Sequence, residues 1–204
     1  MNQSNTTRLT VARVCHEIAN HLNAIKFLCD DESELRSEDL KELFNDLNLL
    51  SYTMSFFRGI YSGGSAVDTL DAVLGVAKLK NISISDKNNV LTEFVVSNSK
   101  TSILGILYLI IKVCKSQDVI VISYRTSEPI KISVDKQRVF PEAIYLAFND
   151  NLLQENVFNV FALYVKDLAK EQGFEISAEL VENDGLRVNI YGNAKTSIKN
   201  PFII

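Results

Sequence analysis

The sequence of 204 residues has few of the residue types that mark several common classes of protein. Its three cysteines are too few and too widely spaced for a disulfide framework or a zinc site, which favours a reducing compartment. A net charge of −4 argues against nucleic acid as the main partner, because duplex binding needs a basic surface. The chain also has only two histidines, His16 and His21, and only eight glycines.

Long apolar stretches are scarce as well. The longest uncharged and strongly apolar run, 101–111, is far shorter than the roughly 20 residues that a bilayer requires. Residues 1–7 are polar and lack the basic and then apolar layout of an export signal. We therefore expect a cytoplasmic protein that has neither a membrane nor a nucleic acid as a partner.

Heptad spacing in residues 1–62 predicts an antiparallel helical hairpin, with helices over 8–29 and from about Ser37 to Tyr61. One hairpin cannot close a core, so we expect a homodimer in which two copies form a four-helix bundle. The alternative is that the apolar positions pack on the second half of the same chain. These positions are Val11, Cys15, Ile18, Leu22, Ile25 and Cys29, followed by Leu40, Leu43, Leu47, Leu50, Met54, Phe57 and Tyr61.

The periodicity changes after Ser62-Gly63-Gly64-Ser65, which is predicted to be a linker. Residues 66–204 mix helical and strand patterns, which predicts an α+β domain with a mixed sheet covered on one face by helices. The predicted helices are 68–80, 99–115 and 154–172, and the predicted strands are 90–97, 118–125, 130–135, 174–181 and 186–191.

His16 is the candidate reactive group. On a helix, Ala12, Ala19, Asn20 and Asn23 fall on its stripe, and these small or polar residues leave room for another protein. Glu17 can hold one ring N–H and leave the other nitrogen as a nucleophile for phosphoryl transfer. The alternative is an ordinary surface histidine. No metal site is expected, because His16 and His21 are five residues apart and not four.

The segment His16-Glu17-Ile18-Ala19-Asn20 resembles the phospho-acceptor helix of two-component histidine kinases. The wider stretch Arg13-Val14-Cys15-His16-Glu17, with Ala24-Ile25, is similar to the ChpT-like histidine phosphotransferases of alphaproteobacteria. Phe57-Arg58-Gly59-Ile60-Tyr61-Ser62-Gly63 is similar to the end of the hairpin in that family. Residues 165–176 are similar to the last helix and strand of a Bergerat ATPase domain. The resemblance implies a phosphotransfer hairpin followed by a degenerate Bergerat-type α/β sandwich.

By this resemblance His16 is the phospho-acceptor, Glu17 is the acid that orients its ring, and Asn20 is the usual small polar residue. His21 departs from the pattern, which has a proline there, so a straighter helix is expected. The implied partners are the receiver domain of a hybrid histidine kinase, which brings Mg²⁺, and a response regulator of the CtrA type. We expect the receiver to dock on Ala12, Arg13, Ala19 and Asn23, with an apolar contribution from Phe56.

The positions of the glycines indicate whether the predicted domain can bind ATP. A Bergerat domain that binds ATP needs glycine-rich turns around the phosphates and an Asn that holds magnesium. No glycine here forms Asp-x-Gly-x-Gly or Gly-x-Gly, and residues 102–112 contain neither Asn nor Glu. We therefore expect a domain of the kinase type that binds no ATP. Two other functions stay open: a histidine kinase with an unusual nucleotide site, and a non-enzymatic module that binds receivers or kinases.

Overall fold

The structure of the protein is a computed structural model, and it describes residues 14, 18–23, 25, 37–125, 128–134, 145, 148–149, 157–181 and 185–192. Four of the predicted site residues, Ala12, Arg13, His16 and Glu17, lie outside these residues. No helix within the described ranges combines the length and the apolar character needed to cross a membrane.

Two helices lie in the region where the hairpin was predicted. Helix α1 is described at residues 14, 18–23 and 25, and α2 extends over Ser37–Ser62. The predicted extent of the second helix is therefore confirmed. Glu38 and Asp39 lie in the first turn of α2, where carboxylates stabilise the positive end of the helix dipole.

The heptad positions of α2 divide between two faces. Leu43 and Leu50 are half-buried and Phe57 is buried, so this row faces the interior of the protomer. The other row consists of Leu40, Leu47 and Met54, which are exposed, and of Tyr61, which is half-buried. Before Tyr61, this second row is not covered within the described part of the chain.

A tight turn, and not an extended linker, connects α2 to α3 (Ala66–Leu79). Gly63 adopts a φ of +67°, which a residue with a side chain rarely adopts, and α3 begins after Ser65. The Ser65 hydroxyl caps α3 by accepting the N–H of Asp68 at 3.3 Å. The predicted boundary at residues 62–66 coincides with this turn, but the helices on its two sides pack directly on each other.

The elements after α3 are β1 Ser83–Asp86, α4 Ser102–Val113, β2 Val119–Ser123, β3 Ile130–Val134, α5 Val157–Glu171, β4 Phe174–Val181 and β5 Gly185–Gly192. The strands form a mixed five-stranded sheet in the order β1-β2-β3-β5-β4. β1 pairs with β2 in parallel, and the other neighbouring pairs are antiparallel. Alternate residues of β2 and β3 are buried, which places the core on one face of the sheet, and the predicted α+β class is confirmed.

One predicted strand is wrong. Residues Leu91–Val96 form a π-helical turn, and β1 lies earlier, where no strand was predicted. The carboxylate of Asp86 at the end of β1 accepts the N–H groups of Val90 (2.9 Å) and Leu91 (3.0 Å). This capping starts a helical turn in a segment whose short apolar run is compatible with either structure.

An aromatic cluster connects α2 to the sheet domain. The Phe56 ring of α2 stacks on Tyr108 of α4, with 4.0 Å between the ring centroids. Phe57 meets Phe161 of α5 edge to face at 5.6 Å. The end of the hairpin and the α/β half therefore share one hydrophobic core.

Close approach of α2 and α3 requires Gly59. A Cβ atom added at this position would overlap Thr69 Oγ1, which is buried and donates to the Ser65 carbonyl at 2.7 Å. We expect Gly59→Ala to lower the free energy of unfolding by about 1–3 kcal/mol, because overpacking outweighs the helix propensity of alanine. Urea denaturation measures this change.

Gly192→Ala is the matched control, because among the described residues other than its chain neighbours no atom lies within 4 Å of the position that its Cβ would take. It should change stability by no more than about 0.5 kcal/mol. Adding Thr69→Ala to Gly59→Ala should restore part of the lost free energy of unfolding, because it removes the hydroxyl that the new Cβ atom overlaps. Equal stability of Gly59→Ala and the wild type would show that α2 and α3 can separate without cost.

Candidate functional site

The exposed side of α1 carries the described part of the candidate site. Ala19, Asn20 and Asn23 are exposed, and we call these three residues the α1 face. On the other side, Val14 and Ile18 are half-buried, and Val14 packs against the core. These apolar residues determine which side of the helix points inward, so the small and polar residues point to solvent.

His21 occupies the position at which the resembled family has a proline. It is half-buried, and residues 18–23 are helical without interruption. A proline there would remove a backbone donor and disturb the preceding turn. The expectation that α1 is straighter than in the resembled family stays a prediction.

Phe56 does not lie on an accessible surface. Its side chain is 0% exposed and is stacked on Tyr108 inside the core. A partner protein cannot contact this ring in the folded protomer, so the expected contribution of Phe56 to docking is not supported by its placement. Its role is to hold α2 against α4.

A groove between α2 and α3 was not predicted from the sequence. It has a volume of about 290 Å³, and its rim carries Tyr52, Ser55, Arg58, Asp68 and Asp71. The sequence contains a signal for it, because these α2 residues alternate with the buried positions Thr53, Phe56 and Phe57. Both charge signs line the groove, so it does not select a ligand of one charge.

Helix α4 is enclosed by protein. Every residue from Ser102 to Ile111 is buried. A Cβ atom added at Gly105 would lie 2.7 Å from Val165 Cγ2 of α5. At the helix start, Gln172 Oε1 accepts both the N–H (3.0 Å) and the hydroxyl (2.7 Å) of Ser102. Almost no surface of this helix is left to line a ligand pocket.

Two carboxylates with lowered pKa values lie at the sheet: Glu128 just before β3 and Glu179 on β4. A hydrogen bond and the charge of Lys131 lower the pKa of Glu128, whose carboxylate lies 2.6 Å from the Lys131 ammonium. Hydrogen bonding to Asn189 and then to Arg187 lowers the pKa of Glu179. Both carboxylates belong to exposed ion pairs, Glu128 with Lys131 and Glu179 with Arg187, at the surface of the sheet. In the part of the chain that the structure describes, no group of three or more His, Cys, Asp or Glu side chains could hold a metal ion.

The fold is similar to that of a solved bacterial protein. A structure described as a bacterial phosphotransferase matches with a TM-score of 0.68 and 13% sequence identity, over 94% of this chain and 98% of the other. At this identity the likeness shows a shared fold over almost the whole length of both chains. The chain matches no protein-family profile and no curated protein sequence.

Two histidine kinases match less closely. The kinase AdeS of Acinetobacter baumannii has a TM-score of 0.43 and 10% identity, over 87% of this chain and 94% of the other. The blue-light-activated kinase of Erythrobacter litoralis has a TM-score of 0.40 and 13% identity, over 96% of this chain and 65% of the other.

Tyr164 connects α5 to the end of α2. Its hydroxyl donates to the Ile60 carbonyl at 3.2 Å, and its ring lies 4.8 Å from that of Tyr61. Burial raises the pKa of Tyr164 above the ordinary 10.0, and the negative charge of Glu171 raises it further. The neutral phenol is therefore the form that the folded protein stabilises.

Tyr164→Phe should lower the free energy of unfolding at pH 7 by about 1 kcal/mol, because the bond to Ile60 is lost. Since the unfolded chain releases this proton more easily, the stabilisation by Tyr164 is present below pH 10.0 and is lost as the pH rises further. In urea denaturation, the difference in the free energy of unfolding between Tyr164→Phe and the wild type should therefore become smaller above pH 10.0. The exposed Tyr191 offers a control, because Tyr191→Phe should change stability little at pH 7. A difference for Tyr164→Phe that stays constant with pH would contradict this account.

Proposed function

We propose that the chain is a histidine phosphotransferase of a two-component phosphorelay. It would carry a phosphoryl group between receiver-domain aspartates on His16 and would use no ATP of its own. The fold supports this proposal, because it is shared over 94% of the chain with a bacterial phosphotransferase. The sequence around His16 and the exposed α1 face support it independently.

The enclosure of α4 is the observation that carries the proposal. By the resemblance to Bergerat domains, this helix is where the Asn that holds the magnesium of ATP would lie. Here the helix has no Asn, and residues 102–111 are buried against other parts of the protein. The chain also lacks the glycine-rich turns that bring backbone N–H groups to phosphates. A phosphoryl donor outside the chain, the aspartyl phosphate of a receiver, is therefore the better candidate.

The proposed chemistry requires little of the chain itself. Glu17 accepts one ring N–H of neutral His16, and the other ring nitrogen attacks the phosphorus of the aspartyl phosphate. The bond from phosphorus to the aspartate oxygen breaks, and its electron pair stays on the carboxylate. Mg²⁺, bound by the receiver, would supply charge neutralisation at the phosphoryl oxygens. The reverse reaction on a second receiver passes the group on.

The α1 face fits a docking role. Asn20 follows His16 by four residues in the sequence and is exposed, so its amide is available to a partner. Ala19 is exposed and presents no bulk to an approaching domain. With Asn23, and with Ala12 and Arg13 by sequence spacing, this face forms the proposed receiver surface.

Phosphotransfer to the chain tests the proposal. Receiver domains of hybrid kinases from the source organism, labelled with radioactive phosphate by their own kinases, are mixed with the protein. Wild type should acquire an acid-labile label, and His16→Ala should lose it by at least about a hundredfold, since the nucleophile is gone. His21→Ala is the matched control and should be labelled like the wild type.

Each alternative function has a distinct result in this assay. Labelling of His16 by radioactive ATP alone would identify a histidine kinase and would contradict the proposal. A chain that binds receivers but acquires no label, and whose His16→Ala variant leaves receiver phosphorylation unchanged, would be a non-enzymatic binding module.

We also propose that the protein is a homodimer. Leu40, Leu47 and Met54 recur every seven residues on the exposed side of α2, and Leu22 of α1 is 51% exposed. Phe44 adds a ring that is 63% exposed. Soluble monomers rarely expose so continuous an apolar row, and a second hairpin in a four-helix bundle would cover it. We call Leu40, Phe44, Leu47 and Met54 the α2 stripe.

Leu47→Glu should convert the dimer to a monomer, because a carboxylate would be buried at the centre of the α2 stripe. Light scattering after size-exclusion chromatography measures the mass. Leu74→Glu is the matched control: Leu74 is 37% exposed and Leu47 is 43% exposed, but Leu74 lies on α3. A dimer that persists in Leu47→Glu, or a monomeric wild type, would contradict this pairing.

A further inference from the structure

The two edges of the sheet differ. On the outer side of β4, Ala178 is paired with a side chain: its N–H donates to Asn149 Oδ1 at 2.9 Å, and its carbonyl accepts from Asn149 Nδ2 at 2.6 Å. The amide of Asn149 thus takes the place of a neighbouring strand at that position. Such closure limits the pairing of an edge strand with another chain.

β1 forms the other edge. On its inner side, the N–H of Ser83 donates to the Asp118 carbonyl (3.0 Å), and the N–H of Lys87 donates to the Ile122 carbonyl (2.8 Å). In a parallel ladder alternate residues bond to the same neighbour, so the N–H and carbonyl of Ile84 face outward. Among the residues that the structure describes, no strand pairs with β1 on this outer side.

A groove runs along this open edge. It has a volume of about 360 Å³ and lies between β1 and the end of α3, and we call it the β1 groove. Its apolar wall includes Leu74, which is 37% exposed without a covering element in the described part of the chain. The residues that line the groove are Leu74, Ala77, Lys78, Asn81, Ile82, Ser83 and Ile84.

We propose that the β1 groove binds an extended acidic and apolar segment of a partner protein, which adds to the sheet beside β1. The outward N–H and carbonyl of Ile84 select an extended backbone, and alternate side chains of an added strand would enter the groove. Lys78 lines the groove and Lys87 follows β1. Both are exposed and have no ion-pair partner in the described ranges. Their charges favour carboxylates on the segment. This proposal does not depend on His16.

The test uses the full-length protein, labelled with ¹⁵N, and the peptide acetyl-Glu-Val-Thr-Val-Glu-amide as the probe. Binding should shift the amide signal of Ile84 and slow its hydrogen exchange at least about tenfold, because the N–H gains a partner. The same peptide with Lys in place of Glu should bind more weakly. The affinity comes from the titration of these shifts.

Two pairs of variants separate backbone pairing from charge. Ile84→Pro removes the outward N–H, which an edge strand tolerates, and should weaken binding at least about tenfold, whereas Ile84→Val should bind like the wild type. Lys78→Glu should weaken binding up to about fivefold, the range for one exposed ion pair. Lys170→Glu makes the same change on α5, which packs on β4, and should have no effect. If Ile84→Pro fails to fold, the comparison of Lys78→Glu with Lys170→Glu decides whether the peptide binds in the β1 groove.

Several results would overturn the proposal. Protection of the Ile84 amide in the free protein would show that its own chain or a second copy already covers the edge. Peptide-induced shifts elsewhere, or equal binding by Ile84→Pro and Ile84→Val, would exclude strand addition at β1. Equal binding of the acidic and basic peptides would exclude the charge selection.

Discussion

The stack of Phe56 on Tyr108 is the contact on which the rest of the structure depends. It places an aromatic ring of the hairpin in the core of the α/β half, with 4.0 Å between the ring centroids. A buried aromatic side chain of this kind contributes about 3–5 kcal/mol, whereas a hydrogen bond such as that of Tyr164 contributes about 1 kcal/mol. Aromatic packing, and not the polar connection, therefore determines how α2 meets α4 and α5.

This packing affects whether the phosphoryl group can reach the hairpin from a nucleotide on the same chain or only from a separate protein. In a histidine kinase the bound nucleotide has to reach a histidine of a hairpin in the same dimer, so the ATP-binding domain has to approach that hairpin. Here the end of α2 is built into the domain core, and α4 is enclosed by its neighbours. A chain that receives phosphate from a separate receiver needs no such approach, since the partner moves and the α1 face stays exposed. The proposed phosphotransferase activity is therefore compatible with a fixed attachment of the two halves.

The sequence predicted the elements whose signals are local. The second helix and the predicted strands 174–181 and 186–191 lie within a few residues of the observed α2, β4 and β5. The prediction failed where contacts from a neighbouring element decide the outcome. The 90–97 segment is helical because Asp86 caps it, and Phe56 is inaccessible because α4 covers it. For the site, spacing placed Ala19, Asn20 and Asn23 on one face, and all three are exposed. The burial of Phe56 agrees with its helical spacing from Thr53 and Ile60, which lie on the same inner face of α2.

The position of α3 allows the proposed surfaces to act at the same time. α3 packs on α2 along one side and on α4 and β1 along another. It therefore separates the α2 stripe, where we propose that a second copy binds, from the β1 groove. A partner segment beside β1 need not compete with dimer formation. Ala77 and Ile82 of the groove belong to the same hydrophobic core as Tyr108 and Phe56, so the groove and the end of α2 are connected by continuous packing. Under these two proposals, the α/β half offers a second docking surface in addition to the α1 face.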